Sequence, residues 1–182
     1  TAKLIVETCS PPDALKRLAK MDERLDLPYF ISFYSGLCHL EQGDIQTALD
    51  NFRHALDRQP SVQDFPSVCS YIGFCLKEKG SYQEALTVLS DGLRMDRDRT
   101  DILNLMGFCY FKLQKHEDAI ACFKQLLRLN PGSAIDYANI ASNYRDMGRA
   151  DKAIDYYQQA LEIDPALEFA ASNQATLTGT EK

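Results

Sequence analysis

The sequence predicts an all-α fold, an α-solenoid of stacked helix-turn-helix units with about four full units and partial units at the ends. Two periodic signals predict it. Alanines lie 34, 37, 34 and 34 residues apart, at Ala14, Ala48, Ala85, Ala119 and Ala153. Small residues recur in step with them, at Gly36, Gly73, Gly107 and Ala141. A fixed period of this length is typical of a unit that buries its apolar face only against copies of itself, so we expect function to lie on the surfaces left exposed.

Each unit is predicted to be a pair of helices. Within residues 100–133, apolar residues recur at helical spacing from Ile102 to Leu113 and again from Ala119 to Leu127. Residues suited to the ends of helices separate such runs in the other units as well. Each unit is therefore a predicted helical hairpin.

The predicted turns are marked by glycine and proline. Glycine tolerates a positive φ just beyond the end of a first helix, and it stands there at Gly43, Gly80 and Gly148. The third unit has Gln114 instead, so we expect its turn to be strained or differently built. Proline cannot continue a helix, and it ends the second helices at Pro60, Pro131 and Pro165. The second unit has Arg97 in place of this proline, and we expect the run 96–99 to be a solvated link.

Two units carry a recognisable signature of small, aromatic and proline residues. The third has Gly107, Tyr110, Ala119, Phe123 and Pro131, and the fourth has Ala141, Tyr144, Gly148, Ala153, Tyr157, Ala160 and Pro165. This pattern resembles the tetratricopeptide repeat (TPR) family, whose unit is a 34-residue helix-turn-helix. The resemblance implies a right-handed superhelical α-solenoid.

The expected domain organisation is a single TPR solenoid over residues 1–182. Its predicted parts are a partial or degenerate repeat at 1–28, repeats at 29–62, 66–99, 100–133 and 134–167, and a capping helix with a tail at 168–182. The chain starts at Thr1 without Met, which is compatible with a removed leader or a longer parent protein.

Composition narrows the classes of partner. The chain has 20 Lys and Arg against 26 Asp and Glu, a net charge of −6, which argues against nucleic acid as a partner. No apolar run approaches the roughly 18 residues of a membrane-spanning helix, so we expect no direct membrane insertion. The six cysteines form no Cys-x-x-Cys pair, so we expect free thiols, no metal and a reducing, cytoplasmic location.

The sequence contains no motif of an enzyme. It lacks Gly-x-x-x-x-Gly-Lys, Gly-x-Gly-x-x-Gly, His-Glu-x-x-His and Gly-x-Ser-x-Gly. The three histidines, His39, His54 and His116, lie far apart, and we expect structural or solvated roles for them. We therefore expect a non-catalytic protein with neither cofactor nor catalytic residues.

The first helices of repeats one to three are apolar nearly all round, as in residues 29–40 and 102–111. A helix that is apolar all round is typically buried on every side. In proteins that resemble this one, the first helices line a concave groove, and the residue after the helix glycine points into it. The predicted groove residues are Phe30, Phe33, Tyr34, Leu37, Leu40, Tyr71, Phe74, Leu105, Phe108, Phe111, Asn139, Ser142 and Arg145.

The groove predicts a scaffold or adaptor that binds an apolar helix or an extended peptide with apolar anchors. Adaptors of this family that clamp a carboxylate have asparagine after the helix glycine, and Leu37, Phe74 and Phe108 depart from that pattern. Three alternatives stay open. The aromatic residues could pack only against neighbouring helices, the chain could self-associate as a homo-oligomer, or it could be a regulatory TPR domain of a larger enzyme or sensor.

Overall fold

The computed structural model describes residues 2–21 and 28–179, and the regular elements in these ranges are all α-helices. The last three residues of the predicted tail, 180–182, and part of the predicted first repeat lie outside the described residues. The helices are α1 (Ala2–Thr8), α2 (Pro11–Leu18), α3 (Pro28–Glu41), α4 (Ile45–Asp57), α5 (Phe65–Glu78), α6 (Tyr82–Met95), α7 (Thr100–Lys112), α8 (His116–Leu129), α9 (Ala134–Asp146), α10 (Ala150–Ile163) and α11 (Glu168–Thr178). The predicted all-α fold class is confirmed.

The chain divides into two compact units, Thr1–Ile102 and Leu103–Lys182. In the first unit, α3 packs on α4, α4 on α5 and α5 on α6, and the short helices α1 and α2 pack on each other and on α3. In the second unit, α8 packs on α9, α9 on α10 and α10 on α11. Helices that are consecutive in sequence are therefore neighbours in space within each unit, as expected for a repeat protein.

Four hairpin turns share one backbone design. Gly43, Gly80 and Gly148 have φ angles of 77°, 76° and 72°, as the sequence predicts. Gln114 has a φ of 58°, so the third turn adopts the same conformation with a side chain that disfavours it. After each of these residues the next N–H donates to the carbonyl five positions earlier, as Lys115 does to Tyr110 at 2.9 Å. The third turn is therefore built like the others and is strained.

The periodic small residue lies where the two helices of a hairpin make close contact. A Cβ atom at Gly73 would lie 2.4 Å from the side chain of Leu89, and one at Gly107 would lie 2.7 Å from Phe123. Real Cβ atoms do not approach other atoms this closely. The backbone of the first helix therefore packs directly against a side chain of the second, and a Cβ atom at either glycine would force that side chain to move.

Cysteines fill one buried position in successive hairpins. Cys38, Cys75 and Cys109 follow the small residue by two positions, and each is 0% exposed. Burial is the main cause that raises the pKa of the Cys75 thiol to about 11. A backbone hydrogen bond lowers this pKa and the negative charge of Glu78 raises it, both by smaller amounts. All six cysteines are free thiols. These three serve as small apolar core residues, as expected.

The link between α6 and α7 is anchored by an ion pair. Arg99 donates to Asp101 at 2.9 and 2.7 Å and to Ser67 Oγ at 3.2 Å, and its side chain is 23% exposed. The expectation of a solvated link is therefore wrong for Arg99. Burial raises the pKa of Asp101, but hydrogen bonds from Arg99 and Ser70 and the attraction of Arg99 outweigh it and lower that pKa to about 2.

We predict that Gly107→Ala lowers the free energy of unfolding. The added methyl group overlaps Phe123, and overpacking of about 1–3 kcal/mol exceeds the gain in helix propensity of about 1 kcal/mol. Urea unfolding followed by circular dichroism measures the change. Gly132→Ala is the control, because the nearest atom to its Cβ would be 3.7 Å away. Equal midpoints for the two variants would contradict the proposed contact.

We predict that Asp101→Asn lowers stability near pH 7 and that its difference from the wild type disappears in acid. The pKa of Asp101 is about 2 in the folded chain against 3.8 for the free group. The carboxylate of Asp101 therefore stabilises the fold fully at pH values above its pKa in the unfolded chain. This stabilisation is lost as the pH falls through its pKa in the folded chain. Because the carboxylate is 45% exposed, we expect about 1 kcal/mol or less. Urea unfolding midpoints measured from pH 7 down to pH values below the folded pKa of Asp101 give the effect. The exposed Asp98→Asn is the control. A difference between Asp101→Asn and the wild type that does not change with pH would exclude an ionic origin.

Candidate functional site

In the first unit, two of the predicted groove residues belong to an aromatic cluster. Phe33 contacts Phe52 with ring centroids 5.7 Å apart and Tyr71 at 5.4 Å, and Tyr71 stacks on Phe52 at 5.1 Å. Phe52 is fully buried, whereas Phe33 and Tyr71 are half-buried. Much of the ring surface of Phe33 and Tyr71 is therefore used in packing between helices. This agrees with the alternative that the aromatic residues pack against neighbouring helices.

The N-terminal helices contact two more of these residues. Phe30 and Tyr34, whose rings lie 5.9 Å apart, pack against a small core of α1, α2 and α3 that includes Leu18 and Cys38. Burial raises the pKa of Tyr34, and the carboxylates of Glu7 and Asp64 raise it further. Helices α1 and α2 thus bury part of the predicted binding surface.

Three further predicted residues of the first unit are half-buried. They are Leu37, Leu40 and Phe74. The ammonium of Lys77 lies 4.7 Å from the centroid of the Phe74 ring. These side chains offer apolar contact, and Phe74 carries a cation on its ring face.

The second unit contains a pocket of about 320 Å³. It is lined by Asn104, Phe108, Phe111, Phe123, Asn139, Ser142 and Asn143. Four of these are predicted groove residues, namely Phe108, Phe111, Asn139 and Ser142. The structure therefore brings side chains from α7, α8 and α9 together around one cavity.

One side of the pocket is aromatic. Phe108 is 39% exposed, whereas Phe123 is buried against the backbone at Gly107. The ammonium of Lys112 lies 5.3 Å from the centroid of the Phe108 ring and 6.0 Å from that of Phe111. The aromatic side therefore combines a fixed buried ring with an exposed one.

The lining residues contributed by α9 are polar, and their buried groups are hydrogen-bonded. Asn143 is 1% exposed; its Nδ2 donates to the carbonyl oxygen of Asn139 at 2.8 Å, which leaves its Oδ1 to accept from His116 Nδ1 at 3.0 Å. Ser142 Oγ donates to the Ala138 carbonyl at 3.0 Å and therefore accepts from the hydroxyl of Tyr157 at 2.9 Å. This network holds the polar side in one arrangement.

Two side-chain amides at the pocket are available to a ligand. Asn104 is exposed and Asn139 is half-buried. Neither side-chain amide forms a hydrogen bond to another residue in the described ranges. Each amide has both a donor and an acceptor. The pocket therefore presents unused hydrogen-bonding groups beside an aromatic surface.

Two predicted residues of the second unit do not line this pocket. Leu105 is half-buried outside it. Arg145 donates to Asn173 Oδ1 of α11 and pairs with Asp146 at 2.8 Å, so its guanidinium is already used within the unit. The polar end that the sequence predicts is therefore formed by amide and hydroxyl groups.

Sequence reasoning missed Asn104, Phe123 and Asn143. Asn143 occupies the position that Cys109 fills in the preceding repeat, and this exchange of an apolar residue for an amide was the available signal. Asn104 lies one helical turn before Gly107 and carried no such signal.

The pocket lining can bind a ligand through apolar contacts and neutral hydrogen bonds. It contains no carboxylate, thiol or imidazole group. Within the described ranges, no group of three or more His, Cys, Asp or Glu residues is arranged to hold a metal ion. No helix among the same residues is long and apolar enough to cross a membrane.

Comparisons with known proteins agree with the architecture. Residues 98–166 match a family model described as tetratricopeptide repeat. YrrB, described as a TPR protein with an unusual peptide-binding site, superposes with a TM-score of 0.86 at 19% sequence identity, over 95% of this chain and 88% of that one. This likeness shows the fold.

Similar sequences occur in longer proteins. DnaJ homolog subfamily C member 7 of Homo sapiens is 35% identical over an alignment of 137 positions that covers 69% of this chain and 27% of that protein. The probable UDP-N-acetylglucosamine-peptide N-acetylglucosaminyltransferase SEC of Arabidopsis thaliana is 34% identical over 86 residues, 47% of this chain and 9% of that protein. The chain thus spans about a quarter or less of these relatives.

We predict that neutral His116 carries its proton on Nδ1. The Asn143 amide is oriented by its bond to the Asn139 carbonyl, so Asn143 Oδ1 can only accept from His116. Long-range ¹H–¹⁵N NMR of the neutral imidazole distinguishes the two tautomers. In Asn143→Leu this preference should be lost, and stability should fall by about 1 kcal/mol because the hydrogen bond to His116 is lost. An Nε2–H tautomer in the folded wild type would refute the assigned network.

Proposed function

Because this chain is a tetratricopeptide repeat protein, and this fold serves as a protein-protein interaction scaffold, we propose that it is a non-catalytic adaptor. Its second unit binds an extended peptide segment of a partner protein and accommodates an apolar side chain in the pocket beside Phe108. One observation carries the proposal: the pocket joins an exposed aromatic ring to two unused side-chain amides.

The unused amides favour an extended peptide over a helix. The main-chain groups of a helix are satisfied internally, whereas an extended segment presents free N–H and C=O groups. Asn104 and Asn139 can each donate to a carbonyl and accept from an N–H. The amides therefore suit peptide backbone, and the aromatic side suits an apolar side chain next to it.

The volume agrees with one anchor rather than a whole ligand. At about 320 Å³ the pocket is at the lower end of the range for small-molecule sites, roughly 300–1,000 Å³. It has room for one large side chain with its adjoining backbone. The peptide-binding site named for YrrB supports the same class of ligand. We also propose a reducing, cytoplasmic location, which the six free thiols support.

Selection from a random peptide library displayed on phage tests the proposal with the full chain as bait. Enriched peptides are synthesised with a fluorescent label, and their affinities are measured by fluorescence anisotropy. We predict that Phe108→Asp weakens binding at least about tenfold, because buried aromatic anchors contribute more than about 1.4 kcal/mol. Circular dichroism checks that this variant keeps its helicity.

Ile163→Asp is the matched control. Ile163 is 43% exposed, similar to Phe108, but it ends α10 and does not line the pocket. The Ile163→Asp variant should bind the same peptides with the affinity of the wild type, within error. The proposal fails if no peptide is enriched, or if folded Phe108→Asp binds the selected peptides as tightly as the wild type.

A further inference from the structure

The link between α4 and α5 is long and exposed. It comprises residues 58–64, whereas the links before α7, α9 and α11 are residues 96–99, 130–133 and 164–167. Ser61 is exposed, and the neighbouring Val62 is 69% exposed. An exposed segment outside the helices can adapt to the active site of another protein. The hydroxyl of Ser61 is therefore accessible to a modifying enzyme.

Ser61 and a buried tyrosine share one carboxylate. The Oγ of Ser61 donates to Oδ2 of Asp64, and the hydroxyl of Tyr29 donates to the same oxygen. The N–H of Asp64 in turn donates to Ser61 Oγ at 3.2 Å. Tyr29 lies in the first turn of α3 and is 3% exposed. A single carboxylate therefore joins the start of α3 to the link before α5.

The hydroxyl of Tyr29 uses Asp64 as its acceptor. Burial raises the pKa of Tyr29, and the hydrogen bond to Asp64 raises that pKa further, against a smaller lowering by Ser61. The hydroxyl therefore stays neutral and acts as a donor. If Asp64 moved away, a buried hydroxyl would lose its acceptor, which a buried polar group tolerates poorly.

Ser61 is also followed by a recognition signal, a carboxylate three residues after the hydroxyl. Kinases discriminate between substrates by the charges around the acceptor, and a basic subsite accepts an acidic residue at such a position. The same spacing follows three other serines, Ser10, Ser81 and Ser133. Ser81 and Ser133 are half-buried, and Ser10 is followed by Pro11, which removes a main-chain donor and fixes the backbone. The structure therefore favours Ser61.

We propose that Ser61 is a phosphorylation site for a protein kinase that recognises an acidic residue after the acceptor, and that phosphorylation releases Asp64 from Tyr29. The kinase transfers the γ-phosphoryl group of ATP. The bond between Ser61 Oγ and phosphorus forms, the bond from that phosphorus to the leaving ADP breaks, and the hydroxyl proton passes to the catalytic base of the kinase. This inference concerns the first unit and is independent of the proposed peptide binding.

The release follows from charge and from the loss of a donor. Phosphoserine has no O–H to donate to Asp64, and it carries about two negative charges at pH 7. The carboxylate of Asp64 therefore loses a hydrogen bond and meets a like charge at close range. Its displacement would leave Tyr29 without its acceptor and would loosen the first turn of α3.

Phosphorylation in vitro tests the site. The full chain is incubated with Mg-ATP and the catalytic subunit of casein kinase II, which prefers acidic substrates, and the modified residue is identified by tandem mass spectrometry. Ser61 should be the main acceptor. In Asp64→Asn its rate of phosphorylation should fall at least about fivefold, because the amide keeps the shape of the side chain without its charge.

Asp57→Asn is the matched control for this rate. Asp57 is an exposed carboxylate that ends α4, just before the link. Its replacement should leave the rate at Ser61 within about twofold of the wild type. Circular dichroism confirms that the helices of each variant are intact before rates are compared.

Hydrogen–deuterium exchange tests the release of Asp64. Amides in the first turns of α3 should exchange at least about threefold faster in the phosphorylated chain than in the unmodified chain. Tyr29→Phe is the control, because it lacks the hydroxyl that Asp64 accepts from. In this variant phosphorylation should cause no further acceleration at the start of α3.

The two parts of the proposal fail separately. If Ser61 is not phosphorylated, or if Asp64→Asn is phosphorylated as fast as the wild type, the modification site is overturned. If Ser61 is phosphorylated and exchange in α3 is unchanged, the release of Asp64 is overturned. Equal acceleration in the wild type and in Tyr29→Phe would overturn the release as well.

Discussion

The structure depends on one close contact between the two helices of a hairpin. At Gly107 the backbone of α7 lies so near α8 that a Cβ atom would be 2.7 Å from the Phe123 side chain. The missing side chain allows Phe123 to pack against this backbone, where it also becomes part of the pocket lining. The interaction that joins the helices therefore also shapes the candidate binding site.

The polar side of the pocket obeys a second constraint, the need to satisfy buried polar groups. Asn143 is buried, and its amide is used at both ends, by His116 and by the Asn139 carbonyl. The side-chain nitrogen and oxygen atoms that are buried in the described part of the chain all have hydrogen-bond partners. A satisfied network of this kind favours one arrangement over others that are equally compact. It fixes the backbone from which the unused Asn139 amide extends.

The sequence predicted the features that repeat and missed those that depend on single contacts. The glycine turns follow from local backbone conformation, and the buried cysteines follow from periodic apolar positions. Both patterns are visible in the sequence of each repeat taken alone. Arg145 looked available in sequence, but it is bound by Asn173, 28 residues away, and no local pattern shows such a contact. Likewise, Phe33 and Tyr71 are apolar residues at groove positions, yet their rings also pack on Phe52.

The predicted groove and the observed pocket differ for the same reason, because the pocket depends on single contacts in three dimensions. Periodicity indicates which residues share a helix face, so Phe108, Phe111, Asn139 and Ser142 could be selected from sequence. It does not indicate how much of each ring neighbouring helices cover, nor which amides remain unused. Those properties depend on side-chain conformations in three dimensions, and they decide what the site can bind.

The position of Lys112 has a further consequence for solubility. An exposed phenylalanine on a helix is a place where protein chains can adhere to one another nonspecifically. A charged residue next to such a position acts as a gatekeeper, because an incoming apolar surface would have to strip water from the ammonium group. Lys112 therefore opposes aggregation through the Phe108 ring while that ring stays exposed.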